Sequence, residues 1–430
     1  MRQAPTFAAM LLSALLFSDC RTGFESFASD EDAGVRPGSA RTLGISQSQG
    51  QAASPSLILD NNDQPLVAWE DSSSGTTQIF VRHYDGERWK ELGGSASGGG
   101  VSDSAGQSEA PSLALDSGGR PAVAWHDDTA GQWEIYFKRF NGEAWVELDG
   151  SASSGGVSHT PDNSGYPVLK LDSSDHPVVA WHESIDGNSE IYLRVHDGTG
   201  WVELARSATS GGVSRTAGAS WYVALDLDSA GQPVVAWHDH QAGTAEILLR
   251  AFDGIAWQQL AGSAQASGLS ATPGDSYNPV LAIDAQDRPL VAWGDDSSGT
   301  WQIDLRRYSP PSWDELQGSA TGGGISASPA ESWFADLALD ATGLPTVVWH
   351  DSSNGNWEIY LRRYDGQSWQ SLGGSGSGGG LSANDGGSWL PSLALDSRGR
   401  PVVAWQDGSS GRMQIYLRRW DGAAWSETGV

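Results

Sequence analysis

Apolar and polar residues alternate along this chain in short bursts, each closed by a cluster of Gly, Asp, Asn or Pro, and the bursts recur together as a larger unit. In residues 112–116 (Ser-Leu-Ala-Leu-Asp) the alternation has the period of two that puts one face of a strand in a core and the other outside. Residues 117–121 (Ser-Gly-Gly-Arg-Pro) then read as a turn, 122–126 (Ala-Val-Ala-Trp-His) as a second strand and 127–131 as another turn. A third strand follows at 133–138 (Trp-Glu-Ile-Tyr-Phe-Lys), and Asn141-Gly142 is a hairpin turn into a fourth at 145–148. No apolar stripe at helical spacing runs long enough for a helix, so the chain is expected to be all-β, built of antiparallel four-stranded meanders.

The meander is written seven times. Its second-strand tryptophan recurs as Trp69, Trp125, Trp181, Trp237, Trp293, Trp349 and Trp405, always 56 residues apart, with an aspartate nine residues earlier and a proline four residues earlier in every copy. One meander cannot bury both faces, whereas seven packed radially can, which predicts a seven-bladed β-propeller of four-stranded antiparallel blades over residues 43–430. An open solenoid is the rival, but neither end carries a distinct polar capping repeat. Each repeat runs from strand one to strand four in order, so the ring is not expected to close by sharing a blade between its ends. The long connectors carry an apolar residue before a serine at Val101, Val157, Val213, Leu269, Ile325 and Leu381, and Ile45-Ser46 holds the same phase upstream. Ile45 is therefore expected at the seam between the last blade and the first.

The phrase Leu-Ala-Leu-Asp, glycine turn, Pro-Val-Val-Ala-Trp resembles the repeats of secreted bacterial seven-bladed propellers loosely related to the sialidase-like propellers, over essentially all of residues 43–430. That resemblance implies a closed ring, often at the cell surface, with no single activity attached to it. The sialidase Asp-box, Ser-x-Asp-x-Gly-x-x-Trp, is not reproduced, since the nearest stretch, residues 364–369 (Tyr-Asp-Gly-Gln-Ser-Trp), sets aspartate and glycine side by side. WD40 and kelch signatures are absent.

Charge narrows the partners. A formal net charge of −28, from 25 Lys and Arg against 53 Asp and Glu, excludes the basic footprint that nucleic acids and anionic membranes require. At the N-terminus Arg2 precedes an apolar run at 7–17, too short to span a bilayer and matched to a signal peptide over residues 1–20. Cys20, the sole cysteine, resembles the lipid-attachment cysteine of bacterial lipoproteins, although Asp19 stands where those proteins usually carry a small residue. Residues 21–42 read as a flexible tether. The expectation is an exported monomer, held at the outer membrane or cell surface by a lipid or else extracellular, with no other membrane contact.

Candidate chemistry lies on the face where the loops after strands two and four open. Each reference tryptophan is followed by a changing residue and then an acid: Glu70-Asp71, His126-Asp127, His182-Glu183, His238-Asp239, Gly294-Asp295, His350-Asp351 and Gln406-Asp407. The acids have a structural explanation as caps on turn amides. The alternative is a ring of carboxylates and imidazoles that grips a polyhydroxy ligand. Trp221, Tyr277, Trp333 and Trp389 share one phase at the end of the connector, where the first three repeats have Ala53, Glu109 and Gly165; Trp133, Trp301 and Trp357 share another. Flat rings beside hydrogen-bonding groups are a common sugar grip, and junction packing is the plainer explanation. No calcium-loop spacing appears and the four histidines sit on separate repeats, so neither a metal nor a cofactor is expected. A basic residue on strand three, Arg82 and Lys138 among its seven copies, reads as a structural device. Nucleophile, phosphate and nucleotide motifs are missing. The reading is a non-catalytic scaffold that binds a glycan or protein through its loop-rich face. A sialidase-like or other glycan-cleaving enzyme is the alternative, for which the repeat displays no asymmetric acid pair; a structural spacer is the third.

Overall fold

The computed structural model describes residues 44–427 apart from positions 154, 186 and 242; the leader, Cys20 and the tether lie outside the described residues. Seven four-stranded antiparallel sheets form a seven-bladed β-propeller. In blade 1, β1 (Ala52–Leu59), β2 (Pro65–Asp71), β3 (Gln78–Tyr84) and β4 (Trp89–Lys90) lie side by side in chain order, and the other six blades repeat that order. The repeat aspartate makes the turn after strand one: Asp60 Oδ1 accepts the N–H groups of Asn62 and Gln64, and Asp396 does the same for Arg398 and Arg400.

The apolar core lies between blades. Val178, Ala180, Ile191 and Leu193 of blade 3 meet Val235, Trp237 and Leu248 of blade 4, and the other junctions are built alike. Burying both faces of every sheet in this way supplies the hydrophobic stabilisation that a lone meander lacks. Polar clasps then fix the angle between blades. Trp201 Nε1 donates to the Leu148 carbonyl at 3.0 Å and Trp257 Nε1 to that of Leu204 at 3.0 Å. The strand-three cations each donate to the connector leading into their blade, as Arg194 does to Val157 O at 2.8 Å and Lys138 to Val101 O at 2.8 Å.

The seam uses the same parts. Residues 44–51 stand in for the connector that would follow blade 7: Ile45 N donates to Ile415 O at 2.7 Å and Ala52 N to Met413 O at 3.0 Å. Ser46 Oγ reaches Gln414 Oε1 at 2.9 Å, and Arg82 donates to Ile45 O at 2.6 Å. Ile45, 4% exposed, sits in one cluster with Trp69, Phe80, Ile415 and Leu417. Ser397 of blade 7 grips Asp63 of blade 1 through its amide and hydroxyl, both at 2.7 Å, as Ser117 grips Asp175. Ile45→Asp is expected to lower the melting temperature, because a carboxylate would enter a dry junction without a partner; the cost is on the order of 3 kcal/mol or more. Thermal denaturation against Ile45→Val, which keeps most of the apolar volume, checks it.

The innermost strands carry the feature on which the site depends. Each breaks register near its upper end, and a non-glycine residue there adopts a left-handed φ between 47° and 53°: Ser54, Ala110, Tyr166, Tyr222, Asn278, Phe334 and Leu390. Left-handed backbone is costly for such residues, and in four of the seven blades a side chain from the neighbouring blade holds the displaced amide.

Candidate active site at the channel mouth

In those four blades the partner is the changing residue after the repeat tryptophan of the preceding blade. Ala110 N donates to Glu70 Oε2 at 2.9 Å, Tyr166 N to His126 Nδ1 at 3.1 Å, Leu390 N to His350 Nδ1 at 3.4 Å and Ser54 N to Gln406 Oε1 at 2.9 Å. Glutamate, histidine and glutamine share one task, the capping of a bulge amide. For His126 and His350 the bond fixes the tautomer, with Nδ1 as acceptor and the proton on Nε2. His182 Nδ1 and His238 Nδ1 are buried without a partner. Burial, helped by the neighbouring His126, holds the His182 imidazole down to about 3, and burial alone does the same for His350. His238 is pushed well below its ordinary value by burial and then by His240 and His182. These three rings are neutral wherever the protein is folded at ordinary pH.

The acids beside the histidines lie one layer down and are consumed by caps. Asp239 accepts from Trp237 Nε1 at 3.3 Å, Ser220 Oγ at 2.8 Å, Thr216 Oγ1 at 2.6 Å and Gln241 N at 2.8 Å. Asp351 takes Trp349 Nε1, Ser332 Oγ and Ser353 N, and Asp127 takes Ser108 Oγ and Thr129 N. Glu183 holds Trp181 Nε1 at 3.1 Å and Ser164 Oγ at 3.3 Å, and burial raises its carboxyl. All four are 2% exposed or less; Asp239 and Asp351 tie the repeat tryptophan to the turn above it, Glu183 holds its tryptophan, and Asp127 holds only the turn and the inner strand.

The aromatic positions gather into an arc around blades 2 to 6. From Trp133 it passes to His126 (4.7 Å between centroids), Tyr166 (5.2 Å) and Tyr222 (5.1 Å), with His182 stacked on Tyr166 at 5.4 Å and Trp221 edge-on to His182 at 4.8 Å. It continues through His238, Tyr277 and Trp301 to Trp333, whose ring lies 4.1 Å from that of Trp301. Phe334, His350 and Trp357 close the far end. Trp389 lies back against Gly387 and Gly408 of its own blade. The tryptophans and tyrosines of the arc are half-buried, with an edge or face left to solvent. The Tyr222 hydroxyl is hydrogen-bonded to that of Tyr166, and burial first, then Tyr166, raises it well above its usual value, so it stays a proton donor.

The arc leaves one sector polar. Glu109 occupies the Trp221 position in blade 2, and its Oε2 lies 3.8 Å from His126 Nε2. Glu70, from blade 1, holds the amide of the very next residue, Ala110. Each glutamate is the sole acid in its column of seven: position 70 and its equivalents read Glu, His, His, His, Gly, His, Gln, and position 109 and its equivalents read Ala, Glu, Gly, Trp, Tyr, Trp, Trp. Comparing the columns for a lone acid would have picked out both. Below the mouth the inner strands carry one basic side chain among the described residues, Lys170, and it is paired with Asp226 at 3.1 Å. Among the described residues no group of His, Cys, Asp and Glu could hold a metal ion.

No family model matches the chain, and no curated protein is similar to it. Solved structures share its ring. An ulvan lyase, a polysaccharide lyase solved bound to -[GlcA(1-4)Rha3S]-, aligns with a TM-score of 0.55 at 11% identity, over 89% of this chain and 97% of that one. A second ulvan lyase structure aligns with the same TM-score and coverage at 12% identity. A puromycin-hydrolysing peptidase of Mycobacterium tuberculosis aligns with a TM-score of 0.50 at 11% identity, over 90% of this chain and 54% of that one, so this chain spans about half its length. The expectation of a non-catalytic scaffold is corrected by these findings. Nearly the whole of the ulvan lyase chain is a ring of this architecture that cleaves a polysaccharide. Two glutamates, Glu70 and Glu109, break the sevenfold repeat at the mouth, Glu70 bonded to the amide of the residue that follows Glu109.

Proposed function

We propose that this propeller is a glycan-cleaving enzyme that hydrolyses a neutral polysaccharide at its channel mouth. The observation that carries this reading is the break in sevenfold symmetry: two carboxylates, Glu70 and Glu109, stand in the one polar sector of a mouth otherwise walled by aromatic rings. A ring shared by lyases and peptidases leaves the chemistry to be read from the site itself.

Hydrolysis of a glycosidic bond needs one carboxyl to protonate the leaving oxygen and a second to activate water or attack the sugar. Glu70 already accepts the Ala110 amide and so suits the carboxylate role, which leaves the first role to Glu109; His126, its Nδ1 held by Tyr166 N, stands 3.8 Å from Glu109 Oε2 and bounds where that carboxyl can sit. His126 is a positioning residue in this scheme. Glu70, anchored on Ala110 N, supplies the second carboxylate. The Tyr166–Tyr222 hydroxyl pair offers hydrogen bonds to sugar hydroxyls, and the half-buried indoles offer stacking faces. Neutral sugars are favoured over uronates, because a carboxylated polymer would meet a chain of charge −28 whose one inner-strand cation is already paired.

The test is release of reducing ends from a panel of polysaccharides, neutral (arabinan, xylan, mannan, β-glucan) and uronate-containing. Turnover on a neutral member is expected. Release of unsaturated products from the uronate members alone would replace hydrolysis by elimination, and silence across the panel would remove the enzyme.

A further inference from the structure

Gly165 has no backbone reason to be glycine. Its φ lies outside the left-handed region, and a Cβ built on it would meet nothing closer than His182 Nε2 at 3.6 Å and His126 Nδ1 at 3.8 Å. The repeat shows what the position can hold. By the 56-residue equivalence, Trp133 and Gly165 stand where Trp301 and Trp333 stack with centroids 4.1 Å apart. The indole that covers Trp301 therefore has no counterpart over Trp133, whose ring contact is an edge-on one with His126 at 4.7 Å. In blades 4 to 7 the same column is filled by Trp221, Tyr277, Trp333 and Trp389. The opening falls beside the acid pair: His126, which lies against Gly165, also faces Glu109 at 3.8 Å.

Building on the hydrolase reading above, we infer that the Trp133–Gly165 slot seats the sugar ring next to the bond that is cleaved, with the pyranose taking the place that the Trp333 indole fills three repeats away, at blade 6. A six-membered sugar ring presents an apolar face of C–H groups at a stacking distance like that of an indole. His126 and His182 form the floor, and their ring nitrogens are suited to hydroxyl contacts; Trp221, edge-on to His182 at 4.8 Å, bounds the far side. Gly165 is then the specificity-determining position, because a large side chain there enters the space of the sugar.

The experiment measures binding and turnover separately. Binding of cellohexaose, xylohexaose and mannohexaose is followed by tryptophan fluorescence and calorimetry on the wild-type propeller, Gly165→Ala and Gly165→Trp, with melting temperature as the check on folding. At least one oligosaccharide is expected to bind the wild type, with affinity falling at least about tenfold in Gly165→Trp and by much less in Gly165→Ala, whose methyl fits within ordinary contact distance. Trp133→Ala is expected to match the loss of Gly165→Trp, which a merely structural effect of the new indole would not produce. Binding by a folded Gly165→Trp at wild-type affinity, or no binding of any of the three by the wild type, overturns the slot. The two readings fail differently. Gly165-sensitive binding without product would leave the slot and remove the hydrolase, whereas product formed by Gly165→Trp at the wild-type rate would leave the hydrolase and remove the slot.

Discussion

Glu109→Gln is expected to keep the fold and to lose between about 10² and 10⁴ of the turnover on whichever neutral polysaccharide the wild type cleaves. The substitution is nearly isosteric and removes only the transferable proton. The amide keeps the size and the acceptor oxygen of the side chain that faces His126, so the melting temperature should move by only a few degrees. Substrate binding should survive, because stacking on Trp133 and hydrogen bonds from the tyrosine pair do not involve the carboxyl. The signature is thus a fall in kcat with KM little changed. Glu70→Gln should also lose turnover while keeping its cap, since an amide oxygen can still accept from Ala110 N, as Gln406 does for Ser54 N. Steady-state rates of the two variants beside wild type settle it, and full activity in Glu109→Gln would remove the carboxyl from the reaction.

The ring was readable because its cause is periodic. A tryptophan every 56 residues that is buried between sheets, a proline that opens strand two and an aspartate that makes the preceding turn each leave a mark in every copy. Even the seam could be placed, since Ile45 keeps the phase of Val101 and its equivalents and packs as they do. The mouth was harder to read, because the left-handed bulge has no sequence signature. Ser54, Ala110, Tyr166, Tyr222, Asn278, Phe334 and Leu390 share a φ and little else. Without the bulge, the residues that cap it look like ligand-binding variety, and the four histidines draw the eye away from Glu70. The carboxylates of Asp127, Glu183, Asp239 and Asp351 accept from donors that lie two or about twenty residues away in sequence, distances at which spacing alone cannot separate a cap from a ligand group. Glu109 was visible as an exception in a column of aromatics, and only its closeness to His126 turns that exception into chemistry.

Asp304 is the other exception, and replacing it is expected to stabilise the protein in a pH-dependent way. Across from the repeat tryptophan on strand three stands an aromatic ring in five blades: Phe80, Tyr136, Tyr192, Tyr360 and Tyr416 stack on their tryptophans at 6.0 to 6.3 Å. Blade 4 has Leu248 there, and blade 5 pairs Trp293 with Asp304, 5% exposed. Burial, and then repulsion from Asp295, pushes the Asp304 carboxyl up to about 8, with Arg306 pulling it partly back and Glu315 adding to the rise. Because the folded value lies above the unfolded one, near 3.9, the unfolded chain releases its proton first as pH rises. Below about pH 4 the carboxyl is protonated in both states and costs nothing; between about 4 and 8 stability falls, and above about 8 the loss is complete, on the order of 5 kcal/mol. Asp304→Asn abolishes the titration, so its advantage over wild type should be near zero at pH 4 and grow toward pH 8. Asp304→Tyr should do the same and gain about 1 kcal/mol more at every pH by restoring the stack on Trp293. Denaturant unfolding of the three proteins at pH 4.5 and pH 8 measures both effects. An Asn advantage equal at the two pH values would mean that the carboxyl is ionised in the folded ring, held by a partner strong enough to outweigh its burial.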